Sequence, residues 1–184
     1  ACEVLDRVAD LLCSREQRQE AVTVYRRILE HQEENQTVRE KLIALLVLIG
    51  ASDEAARELS ALAKQSLAQG DSARALQALD QAVGLGPDNT LLRREYADAL
   101  RASGQNEAAL QQYLQLAHTY QSHNLGEKAL EVLKTAAGLW PDNLQVAVRL
   151  ADLYEQEGLG RSAVQQLLGV AERQAAGEDW TVAR

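Results

Sequence analysis

The chain repeats itself every 54 residues, and that period governs what it can fold into. "GLGPDN" at 84–89 returns as "GLWPDN" at 138–143, so the two prolines, Pro87 and Pro141, stand 54 residues apart. Ala21, Ala75, Ala129 and Ala183 share this register. So do Ala9, Ala63, Ala117 and Ala171, and so do Gly50, Gly104 and Gly158. Large apolar residues keep the same spacing, first Leu42, Tyr96 and Leu150, then Leu5, Leu59, Tyr113 and Leu167. No insertion or deletion interrupts it. The whole of 1–184 is therefore one repeat array, with a partial unit over 1–35, units over 36–89 and 90–143, and a partial unit over 144–184.

Each unit reads as three helices. The first covers roughly 37–49, 90–103 and 144–157, and closes on Gly50, Gly104 or Gly158, where glycine suits a left-handed C-terminal cap. The second covers roughly 53–69, 106–122 and 160–175, with a copy at 1–13. The third covers roughly 17–31, 72–85 and 125–139. Apolar residues recur at three- and four-residue spacing, as in Leu59, Leu62, Ala63 and Leu67, and no window alternates as a strand would. Alanines at fixed positions let neighbouring helices approach, while Leu and Tyr fill the space between. "Pro-Asp-Asn" is punctuation: the proline stops one helix and the Asp or Asn caps the next.

These residues resemble the tetratricopeptide repeat superfamily. Over 56–89 the family's small residue, turn, and second-helix positions are Ala63, Gly70 and Asp71, Ala75, Leu79, Ala82 and Pro87. Residues 110–143 match through Ala117, Ala129, Leu133, Ala136 and Pro141, with Asn124 and Leu125 in place of Gly-Asp. Residues 90–123 match through Tyr96, Ala97, Gly104, Ala109 and Tyr113. The resemblance implies a bacterial-type, all-α, right-handed two-layer α-solenoid of about ten antiparallel helices, and an interaction role without catalysis. Its sequence period is three helices, while such a solenoid alternates two layers. Strict alternation then puts equivalent helices of successive units on opposite faces. The array begins and ends mid-unit, so it reads as part of a longer protein, with the last helix fraying after about residue 176.

Composition excludes several classes. A chain 46% hydrophobic and 25% charged is ordered, and a net charge of −8 argues against a nucleic-acid surface. The run "LIALLVLI" at 42–49 is too short to span a bilayer, so no membrane insertion is expected. Cys2 and Cys13 read as ordinary thiols, eleven residues apart on one helix. His31, His118 and His123 have no metal-binding spacing, and "GLGRS" at 158–162 lacks the Lys-Ser/Thr ending of a phosphate loop. No catalytic, metal or cofactor residue is assigned. The sequon "Asn35-Gln36-Thr37" reads as a helix cap. The family's carboxylate clamp would fall on Ser60, Lys64, Arg94 and Asp98, with too few cations to form one.

Two surfaces stand out. The stretch "KLIALLVLIG" at 41–50, in helix 37–49, is apolar all round: Ala44 and Val47 stand where its sister helices carry Asp98 and Arg101, then Asp152 and Glu155. With Leu48, these residues form either a helix sandwiched between neighbours or an exposed stripe that accepts a partner helix or a second copy of the chain. The second surface, "LLRREY" at 91–96 with Arg101, is a small basic cluster containing Arg94. The expected function is a scaffold or adaptor segment that binds a protein or peptide partner through Ala44, Val47, Leu48, Arg94, Asp98 or Arg101. The alternatives are a regulatory or targeting arm of a larger enzyme or transcriptional regulator, and a secretion chaperone. A cytoplasmic location is expected.

Overall fold

The computed structural model describes residues 2–178, and among the described residues ten α-helices follow one another with no strand. They are α1 (Cys2–Ser14), α2 (Arg18–His31), α3 (Gln36–Leu48), α4 (Ser52–Ala68), α5 (Ser72–Leu85), α6 (Thr90–Ala102), α7 (Asn106–Ser122), α8 (Gly126–Leu139), α9 (Leu144–Gln156) and α10 (Gly160–Glu178). The chain divides into two compact units, Ala1–Ser103 and Gly104–Arg184.

The turns between helices recur with the sequence period because their chemistry does. Asn35, Asn89 and Asn143 each end a turn and accept, through the side-chain oxygen, a hydrogen bond from a backbone N–H in the first turn of the next helix. The sequon asparagine is thus a helix cap. Gly50, Gly104 and Gly158 close α3, α6 and α9 at φ of +76°, +80° and +74°, a region that costs glycine nothing.

In the first unit each helix packs on the next through a short turn, which makes the pairs antiparallel. Polar side chains then reach past one helix to the next but one. Lys41 on α3 meets Asp6 and Asp10 on α1, at 2.9 and 3.1 Å. Arg74 on α5 pairs with Glu40 on α3. On the other side Arg26 of α2 pairs with Glu54 of α4, and Lys64 of α4 pairs with Glu95 of α6 at 2.8 Å. Helices α1, α3 and α5 therefore form one layer and α2, α4 and α6 the other. Sequence-equivalent helices such as α3 and α6 lie in different layers, as an odd period within a two-layer stack requires.

Apolar side chains fill the space between the layers. One cluster gathers Ala9, Tyr25, Ile28, Leu42 and Leu46; a second gathers Leu59, Leu62, Ala63, Leu79 and Leu92. The second unit, α7 to α10, closes over Leu116, Val132, Leu133, Leu150 and Leu153, with Trp140 edge-on to Tyr113 at 5.7 Å.

One alanine departs from its register. Ala9, Ala63 and Ala117 are buried, but Ala171 is exposed. It lies on α10, where no described helix covers the face that α5 covers on α4 and α8 covers on α7. Leu167 shows the same loss, 38% exposed against 3% for Leu59 and Tyr113. α10 extends to Glu178, past the expected end near 176, and Ala183 lies outside the described residues.

Candidate partner-binding grooves

Helix α3 lies between α1 and α5 in its layer, with part of its surface open among the described residues. Leu42, Ile43, Leu45 and Leu46 turn into the core, while Ala44, Val47 and Leu48 reach the surface. Val47 is 46% exposed and Leu48 63%. The stripe overlooks an open groove of about 510 Å³ between α3 and α5, floored by Leu59 and Leu62 of α4. Ala44, Val47 and Ile43 form one wall, and Ala78 with Gln77 and Gln81 the other. An apolar extension of about 250 Å³ runs past Val47 to Gly84 and Leu85. Arg74 bridges the polar end, bound to Glu40. Leu48 lies beside the groove and does not line it.

Asp98 and Arg101 are elsewhere. They line a separate groove of about 400 Å³ between α4 and α6, over Leu79 of α5. Ala44 and Asp98 share a register position, as do Val47 and Arg101, yet the layer switch puts each pair on different sides of the unit. Arg94, half-buried on α6, lines neither groove. Its neighbour Arg93 is the buried one: its guanidinium donates to the Pro87 carbonyl at 2.7 Å, and burial pulls its pKa below the ordinary arginine value. The "LLRREY" cluster is therefore partly a structural tie to the proline turn.

Two of the four clamp positions are occupied from within. Ser60 donates to Glu95 at 2.6 Å and Lys64 pairs with the same carboxylate at 2.8 Å. Neither residue faces a free anion.

The second unit has its own groove, about 290 Å³ between α7 and α9, lined by Gln111, Leu114, Gln115, His118, Gln145 and Arg149. Sequence reasoning missed it because it compared helices singly, whereas a groove belongs to two helices of one layer. No group of His, Cys, Asp and Glu able to hold a metal occurs among the described residues. No helix among them is long and apolar enough to cross a membrane.

Residues 66–126 match the tetratricopeptide repeat family. No curated protein matches the chain. Among solved structures it is similar to the MamA protein, at 19% identity over 97% of this chain and 94% of that one, with a TM-score of 0.36. MamA 41-end from Desulfovibrio magneticus RS-1 is 15% identical over 95% and 96% of the two chains, with a TM-score of 0.35. YrrB, described as a tetratricopeptide repeat protein with an unusual peptide-binding site, is 22% identical over 77% and 88%, with a TM-score of 0.31.

Proposed function

We propose that this chain is a protein–protein interaction segment, without enzymatic activity or cofactor and located in the cytoplasm, that holds a partner's amphipathic helix in the groove between α3 and α5. The observation that carries the reading is Val47, 46% exposed at the lip of an apolar cleft. Covering apolar area is favourable by about 25 cal/mol per Å². A partner helix presenting residues at three- and four-residue spacing would lay its apolar face over Ile43, Val47 and Leu59. The Arg74–Glu40 pair and Gln77 and Gln81 supply polar contacts at the margins. A photo-crosslinking residue placed at position 47 tests this in cells. A discrete adduct there, absent when the crosslinker is placed at exposed Asp88, supports the groove; adducts of equal yield at both positions overturn it. An adduct with another copy of the chain would make the groove a homo-oligomer contact.

A further inference from the structure

One register position recurs three times at a helix crossing, and only two of its copies are electrostatically complete. In the first copy Asp6 and Asp10 of α1 face Lys41 of α3, and Tyr25 donates to Asp10 at 2.8 Å. Fifty-four residues on, the same positions hold Ser60 and Lys64 of α4, facing Glu95 of α6. The sense of charge is reversed, but the acid–base pair across the groove survives. Fifty-four residues further they hold Leu114 and His118 of α7, facing Arg149 of α9. The carboxylate is gone. Among the described residues neither His118 nor Arg149 has an ion-pair partner, both are exposed, and no Asp or Glu lines the groove they share. Glu107 on the first turn of α7 lies outside the lining, engaged with the Gln111 amide at 3.2 Å.

We propose that the groove between α7 and α9 docks an extended acidic segment of a partner protein, one of whose side-chain carboxylates takes the place that Glu95 fills in the preceding copy. Arg149 offers the fork of N–H donors that suits a carboxylate, and His118 stands across the groove from it. Gln115 and Gln145 carry amides that both donate and accept, which fits the backbone of a strand-like peptide laid along the groove. Three glutamines spread along an open trough favour a passing chain over a buried terminus. The surrounding protein is acidic, at −8, so a carboxylate is drawn to this groove by local charge and against the overall field. The surface shares no residue with the groove of α3 and α5, so either reading can fail alone.

The test uses the full chain and fluorescence anisotropy with a labelled, C-terminally amidated peptide alternating Glu and Ala. The control peptides replace Glu by Gln, or are neutral with a free C-terminus. The decisive variant is His118→Lys with Arg149→Glu, which transplants the Lys64–Glu95 pair and completes the site internally without emptying it. The Glu peptide should bind saturably, lose affinity at high salt, and bind the double variant roughly tenfold more weakly. Arg149→Lys, which keeps the charge but loses the fork, should weaken binding less than the double variant does. Equal binding of the Gln peptide, unchanged affinity in the double variant, or no saturable binding at millimolar peptide would overturn the proposal. So would binding only of the neutral peptide with a free terminus.

Discussion

Glu16 and Asn124 sit in the left-handed region at φ of +61° and +56°, and the copy between them, Gly70, sits at +79°. The turn demands this backbone whatever the residue, and a Cβ there costs on the order of 1 kcal/mol. Glu16→Gly is expected to stabilise the protein by about 1 kcal/mol, read as a raised urea midpoint at unchanged slope. Asn124→Gly should gain less, because asparagine tolerates this region better. The Tyr25–Asp10–Lys41 network makes a pH prediction. The Tyr25 hydroxyl, then Lys41, hold the Asp10 carboxyl below its ordinary value of 3.8. A depressed carboxylate contributes stability that is complete above 3.8 and is lost as pH falls below it. At the alkaline end, burial and then the Asp10 hydrogen bond raise the Tyr25 phenol above 10.0, so its contribution is lost as pH rises past that value. Tyr25→Phe should cost about 1 kcal/mol at neutral pH and flatten the acid arm of the melting curve. Parallel acid arms in the two proteins would remove the network from the explanation.

Helix α3 shows what one element can do that its copies do not. Its inner face contributes Leu42 and Leu46, almost fully buried, and its outer face Val47 and Leu48. The sister helix α6, in the other layer, places Arg101 where Val47 stands. The double variant Val47→Glu with Leu48→Lys is therefore expected to fold normally, since surface changes away from special features fall within about 0.5 kcal/mol. It should lose partner capture or self-association, followed by sedimentation velocity beside circular dichroism. A collapse of helicity would show that the stripe is core. The stripe itself was legible in the sequence, because comparison with sister helices exposes any position where charge has become apolar. That Ala44 and Val47 line one groove while Asp98 and Arg101 line another was not legible from single helices. It depends on which helices share a layer, and that appears only when side chains such as Lys41 and Arg74 are seen reaching past a neighbour.

At the scale of the whole molecule, period and caps were readable because local chemistry enforces them: Asn35, Asn89 and Asn143 cap helices wherever the repeat puts them. Coverage was not readable. Ala171 has the residue type of Ala63 and Ala117 but no described neighbour over it, and burial belongs to pairs of elements. The same distinction decides which part of the chain stands alone. The two core clusters of the first unit draw only on α1 to α6, from Ala9 to Ala99. Among the described residues the ion pairs within its layers, Lys41 to Asp6 and Asp10, Arg26 to Glu54, Arg74 to Glu40 and Lys64 to Glu95, close within Ala1–Ser103 as well, as does Arg39 to Glu58, which bridges the layers. In a linear array, stability is a sum over units and their nearest neighbours, so removing residues 104–184 should not dissolve these contacts. A chain of this length buries about two thirds of its surface on folding, enough to stand alone. The fragment 1–103 is expected to unfold cooperatively in urea with a stability of about 5 kcal/mol or more. Leu42, 0% exposed at the centre of one cluster, supplies the control: Leu42→Ala in the fragment should lower that value by about 2–5 kcal/mol. A broad, non-cooperative transition, or a fragment indifferent to Leu42→Ala, would show that the first unit has no core of its own.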